Sequence, residues 1–509
     1  MIDTKALRQK ILDMAIKGKL VPQDPNDEPA SVLLEHIRAE KQQLIKEGKI
    51  KKDKNDSVIF KGADNRYYEK VGSEVKDITD ELPFEIPDNW VWIRLGYIVD
   101  FSQSDTVAAS QINPSSWVLD LEDIEKDSGK LLQRKTFGET QSKSDKHCFF
   151  KGNVLYSKLR PYLNKVIVAD ADGYCTTEIL AFNFGQHIAA QYAKTFFMSP
   201  YFVDYAMDGA YGVKMPRIGS HRGNSALMPV PPYTEQIHLV NRIDELFEQI
   251  DIIEQNQTDI DTLYDEFRKR TLTLAIQGKL VPQNPNDEPA SVLLERIRAE
   301  KKAKLGKKYV DSYIYKSDDN CYYEKVKDSV KEISAEIPFD VPESWQWIRI
   351  DNLFQHNTGK ALNSSNTKGI LHPYITTSNV YWGHFNLDRV KEMPFTEDEF
   401  SKCSIVPGDL LVCEGGDVGR AAIWEKDIPM CIQNHIHRLR AYYPVCTQFY
   451  YFAFFVYKSI GLIGGKGIGI QGLSSGALGK LIFPLPPLAE QERIVKQVGI
   501  ILEKLKDED

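Results

Sequence analysis

Residues 20–41, LVPQDPNDEPASVLLEHIRAEK, return at 280–301 as LVPQNPNDEPASVLLERIRAEK, with changes only at Asp24/Asn284 and His36/Arg296. A repeat this long constrains the fold more than any composition can, because both copies must build the same local structure. The period is half the chain, which makes this a duplicated unit and excludes a solenoid. Further pieces recur in the same order. Tyr67-Tyr68-Glu69-Lys70 returns at 322–325, and the block 82–94, LPFEIPDNWVWIR, returns at 337–349 as IPFDVPESWQWIR. Pro229-Val230-Pro231-Pro232-Tyr233-Thr234-Glu235-Gln236 returns as Pro484-Leu485-Pro486-Pro487-Leu488-Ala489-Glu490-Gln491. Between the tryptophan block and the proline block almost nothing aligns. Two equal frames therefore surround two unequal inserts. That pattern fits two equal docking surfaces and two different ligands.

Composition bounds the rest. Hydrophobic content of 42% and charged content of 27% belong to a globular chain large enough for several cores. The net charge of −8 leaves no bulk basic signature, so nucleic-acid binding has to rest on local patches. Seven cysteines without a C-x-x-C pair argue against a disulfide framework and a zinc site. The first twenty residues interleave charge with apolar positions and read as neither signal peptide nor membrane span. The expected location is the cytoplasm, with no membrane partner.

In chain order, residues 6–16 predict an amphipathic helix stopped near Gly18. A Pro- and Asp-rich turn then leads to a second helix, with Pro29 in its first turn. That helix fades into the charged run 49–56. Residues 90–230 read as mixed α/β, with strands expected at 92–95, 98–101, 117–121 and 166–169. Residues 234–278 read as one long helix. Its apolar positions step by three and four, and about 65 Å of helix follows from 1.5 Å per residue. Its second half resembles 6–18, and its first half resembles the chain's last segment, 490–502. The expected fold is α/β (α+β): two globular domains separated by two long antiparallel coiled-coil helices in a pseudo-two-fold circular repeat. The expected division is 1–83, 84–232, 233–337, 338–487 and 488–509.

Two basic clusters stand out in the first insert. One includes Lys143, Lys146, Lys158 and Arg160; the other is Lys214, Arg217, His221 and Arg222 in a Gly-punctuated loop. In the second insert the candidates are Lys360, Gln433, Asn434, His435, Arg438, Arg440, Lys466, Gln471 and Ser474. Arg, Asn and Gln pair bidentately with base edges, and Arg and Lys grip phosphates. Read as one strand, residues 433–440 would put His435 and His437 on one face with Gln433, and Arg438 and Arg440 on the other. The two histidines have ligand-like spacing, which strand alternation explains equally well. Pro231-Pro232-Tyr233 lacks the preceding Asn of an adenine-N6 methyltransferase motif, since Val230 stands there. Gly467-Ile468-Gly469-Ile470-Gln471-Gly472 matches G-x-G-x-x-G without a strand–turn–helix frame. No G-x-x-x-x-G-K-[ST] run is present.

The repeated Gly-Lys-Leu-Val-Pro-Gln, the tryptophan block and Pro-Pro-x-x-Glu-Gln before a long helix make the chain similar to the specificity subunits of type I restriction–modification systems. The resemblance implies two target recognition domains, each reading one half of a bipartite site in double-stranded DNA. It implies long helices that act as a ruler and as the platform for two methylation subunits, which restriction subunits join. It implies a non-catalytic chain with no cofactor of its own, whose partner subunits use S-adenosylmethionine, ATP and Mg. A self-contained methyltransferase and a coiled-coil scaffold are the competing classes. The segment carrying Tyr-Tyr-Glu-Lys has no role in this resemblance.

Overall fold

The computed structural model describes residues 1–48, 57–102, 104–212, 214–363, 367–464 and 473–505. The charged run 49–56 and the glycine motif 467–472 lie outside them. The chain divides into two units, Met1–Thr258 and Asp259–Asp509.

In the first unit, helix Thr4–Ile16 starts where the Asp3 carboxylate accepts the Ala6 N–H at 2.9 Å. It buries Leu12, Ala15 and Ile16 and stops at Gly18, whose φ is +65°. A Cβ at Gly18 would lie 2.4 Å from the Pro87 ring, so the position requires glycine twice over. Helix Ala30–Lys46 begins one residue later than the sequence suggests. Pro29 is its cap rather than its first turn, and the Asn89 carbonyl takes the Ala30 N–H at 3.0 Å. Strands Ser57–Lys61, Tyr67–Val71 and Glu74–Asp77 form an antiparallel sheet. Ile59 and Tyr67 on one face of it pack with Trp92 and Leu227. Arg94 ties this sheet down by binding Glu69 and Glu81, each at 2.8 Å.

Strand Val91–Arg94 pairs antiparallel with Leu227–Val230, so the first insert starts and ends on one two-stranded ribbon. The proline pair then turns the chain directly into helix Tyr233–Ile276, 44 residues without a break. Leu239 and Ile243 of its first half share a core with Leu12 and Ala15 of helix Thr4–Ile16. Arg8 also pairs with Asp251 and lies over the Phe247 ring.

The second unit repeats this plan. Gly278, φ +69°, meets Pro342 as Gly18 meets Pro87, and helix Ala290–Leu305 takes the Ser344 carbonyl at 3.2 Å. Strands Ser312–Lys316, Tyr322–Val326 and Ser329–Glu332 form the second three-stranded sheet, and Arg349 binds Glu324 and Glu336. Strand Gln346–Arg349 pairs with Ile482–Leu485, and helix Leu488–Lys504 follows. Ile494 and Val498 of that helix share a core with Leu272, Ala275 and Ile276 from the second half of the long helix. Each unit thus holds one helix of each kind, which is the circular arrangement read from the sequence.

The two inserts share a three-stranded core with one register, although their sequences do not align. Strand Val154–Ser157 lies between Val166–Val168 and Ile179–Phe182, and strand Leu410–Cys413 lies between Ala421–Ile423 and Ile436–Ala441. Val154 pairs with Val168 and Phe182, as Leu410 pairs with Ile423 and Leu439. Tyr156 pairs with Val166 and Leu180, as Val412 pairs with Ala421 and His437. Before each central strand the same turn closes: the Asn153 side chain accepts the Phe150 N–H and Asp409 accepts that of Val406, both at 2.9 Å. These contacts are made by backbone and by one Asn or Asp, so the apolar residues between them were free to change.

One expected strand is absent and another is shorter than the sequence suggests. Residues 95–97 form a 3-10 turn and Ile98 has helical φ and ψ, so 98–101 is no strand. Residues 433–440 break at a turn, because the Ile436 N–H closes back on the Gln433 carbonyl at 3.0 Å. Strand Cys431–Ile432 precedes this turn and Ile436–Ala441 follows it.

Candidate nucleic-acid interface

In the first insert the two basic clusters meet. Central strand Val154–Ser157 ends at Lys158, whose carbonyl accepts the Ile218 N–H at 3.2 Å. Leu159 forms a β-bridge with Arg217. The Arg160 N–H reaches the Pro216 carbonyl at 2.7 Å. Arg160 is held at φ +52°, a strained conformation for arginine that these contacts impose. Arg217 holds Glu178 with three hydrogen bonds, at 3.3, 3.1 and 3.0 Å, which raise its guanidinium pKa. Lys143 and Lys214 are exposed, and Lys158 is half-buried. His221 is exposed on the short helix Ser220–Ser225, where Arg222 stacks on Tyr205 at 3.7 Å and binds Asp208 at 3.1 Å.

Lys146 is different: it is buried, with its ammonium 3.5 Å from Asp120. It therefore braces the sheet, and the expectation that it contacts DNA gives way to that structural role.

The second insert collects Lys360, Gln433 and Asn434 at one place. The Lys360 N–H donates to Ile432, and its carbonyl accepts from Asn434. The Lys360 side chain is buried, however, with its ammonium on Glu399 at 2.6 Å and the Pro394 carbonyl at 2.7 Å. Arg438 is 2% exposed, and burial pushes its guanidinium pKa down. Arg440 forms two hydrogen bonds to the fully buried Asp409, at 2.7 and 2.6 Å, under the turn before the central strand. Lys360, Arg438 and Arg440 thus act within the fold, correcting the expectation that each presents its charge to DNA. The signal that would have separated them from surface cations is a carboxylate or carbonyl beneath each, which only the folded chain supplies.

The turn also separates the two histidines. His435 is exposed, whereas His437 is buried, with Nε2 on the Leu473 carbonyl at 2.6 Å and Nδ1 2.8 Å from His356. Burial lowers the His437 pKa to about 4, which keeps the ring neutral. No cluster of three or more His, Cys, Asp or Glu side chains able to hold a metal occurs among the described residues. Ser474 caps helix Ser475–Gly479, accepting the Ala477 N–H at 3.3 Å. Lys466 and Gln471 lie outside the described residues.

Gathered at the C-terminal end of the first central strand are Lys158, Arg160 and Arg217, with Lys214 on the loop before Arg217. At the same end of the second are His435 and, in its turn, Gln433 and Asn434. Glu178 and Glu414 also sit there and carry no mark in the sequence. Only the register of the strands brings them into view.

Residues 342–507 match the family model described as "Type I restriction modification DNA specificity domain". The chain is 28% identical to the specificity subunit of the Escherichia coli type I restriction enzyme EcoAI, covering 98% of this chain and 89% of that one. It is 28% identical to the EcoEI specificity subunit of Escherichia coli over 82% of this chain and 74% of that one. A solved structure described as showing complex assembly and conformational transition of the type I R-M system shares the fold. Its TM-score is 0.58 at 18% identity, with 84% of this chain and 93% of that chain covered. Among the described residues no helix is long and apolar enough to cross a membrane. With the doubled frame and the matching strand registers of the two inserts in place, residues 342–507 fit a type I restriction modification DNA specificity domain and the chain as a whole is similar to type I restriction enzyme specificity subunits.

Proposed function

We propose that this chain reads a two-part site in double-stranded DNA, one half with each insert, and directs partner subunits to it. The observation that carries this reading is the register match between two inserts of unrelated sequence. One scaffold is used twice, with different side chains at its open end. The duplicated frames then dock two copies of one methylation subunit, and restriction subunits join that assembly in the bacterial cytoplasm. Methyl transfer and ATP-driven cleavage fall to those partners, with S-adenosylmethionine, ATP and magnesium bound there. The chain's own part is to position DNA through Lys143, Lys214 and Arg160 and to select sequence at the strand ends. An overall acidic protein can do this because phosphate binding depends on local cations, those of its partners included.

Selection from a random duplex pool by the chain with its methylation subunit tests this. The expected product is two short fixed motifs separated by a constant unspecified gap. One contiguous motif, or no enrichment, would overturn the reading. In the same assay Lys143→Ala with Lys214→Ala should weaken all duplexes alike and reduce the salt dependence by about one for each phosphate contact removed.

A further inference from the structure

The last residue of the central strand is followed in each insert by a position pinned on both sides. In the first insert it is Lys158, whose N–H donates to the Glu178 carbonyl at 3.0 Å and whose carbonyl accepts from Ile218 at 3.2 Å. In the second it is Glu414, whose N–H donates to the His435 carbonyl at 2.9 Å and whose carbonyl accepts from Leu473 at 2.9 Å. The strands leading to it match residue for residue, from Val154 and Leu410 to Ser157 and Cys413, and all eight of those residues are buried. At 158 and 414 the side chain therefore leaves the same backbone position, in the same setting, with opposite charge.

Resting on the function proposed above, we infer that Lys158 and Glu414 are equivalent base-reading positions with inverted hydrogen-bond polarity. A lysine there donates to an acceptor edge in the major groove, guanine O6 and N7 above all. A glutamate there can only accept, which selects a base with an exocyclic amine, cytosine N4 or adenine N6.

The glutamate makes the stronger case. A lysine at a DNA surface is satisfied by any phosphate, whereas a carboxylate is repelled by the backbone and is tolerated where it meets a donor directly. His435 Nδ1 lies 3.7 Å from the Glu414 carboxylate, beyond hydrogen-bond range, and among the described residues no donor occupies its lone pairs. Glu178, at the position matching His435, is already held by Arg217. In the first insert, then, the neighbouring acid is ion-paired and the lysine carries the charge at this position. In the second, the acid itself does.

The test is duplex selection by the full complex carrying Glu414→Lys, Glu414→Gln or Lys158→Glu. Glu414→Lys should move one base pair of the second half-site from an amine-bearing base to guanine on the contacted strand, by roughly tenfold or more in relative affinity. Glu414→Gln keeps the shape and should shift that same base pair toward adenine, which Gln contacts through N6 and N7. Lys158→Glu should do the converse in the first half-site and leave the second untouched. A two-part consensus unchanged in all three variants would overturn the inference while leaving the function standing. No consensus from the unaltered complex would overturn both. Uniform loss of binding by Glu414→Gln, without a change of preferred base, would also overturn it by showing that the position supports the fold.

Discussion

Glu490 accepts the indole N–H of Trp345 at 2.9 Å, and in the first unit Glu235 accepts that of Trp90 at 2.8 Å. Each carboxylate also takes the amide of the repeat's glutamine, Gln283 or Gln23. The neighbouring Gln491 and Gln236 bind the Pro486 and Pro231 carbonyls and the N–H of Cys446 and Ala189 at the start of each insert's helices. The scattered pieces of the repeat are therefore one joint, which fastens insert, ribbon and long helix together.

Both carboxyls are buried, and burial pushes their pKa up against the pull of the hydrogen bonds. Glu490→Ala leaves a buried indole N–H without a partner and should cost the second unit about 2 kcal/mol in denaturant unfolding. Glu490→Gln keeps an acceptor for the indole without a buried charge, so it should cost clearly less. In the assembled complex both variants should keep the unaltered base preferences.

Acid should destabilise the second unit through His437. The ring stays neutral down to about pH 4 in the folded chain and takes a proton near 6.5 when unfolded. Between these values the unfolded state binds the additional proton, so stability is full above about 6.5 and falls as pH drops toward 4, by an amount of order 3 kcal/mol. The matching residue in the first insert is Leu180, buried in an apolar core. His437→Leu should therefore flatten this pH dependence. Unfolding midpoints at pH 7 and pH 5 measure it, and an unchanged slope in His437→Leu would assign the acid sensitivity elsewhere.

The frame was legible in the sequence because its joint is made by specific side chains, Gly18, Gln23, Trp90, Glu235 and Gln236, which cannot be exchanged without losing a hydrogen bond or a close approach. The long helix was legible from its periodicity. The common fold of the inserts was not, because it is held by backbone pairing around apolar positions where Tyr156 and Val412, or Leu180 and His437, serve equally. Site residues were legible only as types. A lysine that binds DNA and one that binds Glu399 look alike until the chain is folded. The break at Asn434 and His435 was hidden for a related reason: alternation continues across the turn, while the hydrogen bond that closes it is between backbone atoms.

Helix Tyr233–Ile276 is 44 residues long. We expect its length to set the gap between half-sites. Four residues inserted at 255–258 add about 6 Å of helix, against about 3.4 Å per base pair of DNA. Methylome sequencing of cells carrying the variant should show both half-sites intact and the gap longer by up to about two base pairs. An unchanged gap with altered half-sites would contradict a spacer role.

The central claim is that each insert reads its half-site independently on a common scaffold. The scaffold marks where to exchange them: the Leu95 N–H meets the Ala226 carbonyl at 2.8 Å, and the Ile350 N–H meets that of Leu481 at 3.0 Å, at equivalent points of the two ribbons. Residues 95–226 can therefore be grafted in place of 350–481 with both frames left whole. Duplex selection by the resulting complex should return a site made of two copies of the first half-site, with no trace of the second. A site that keeps the second half-site, or that contains a sequence found in neither, would contradict the account.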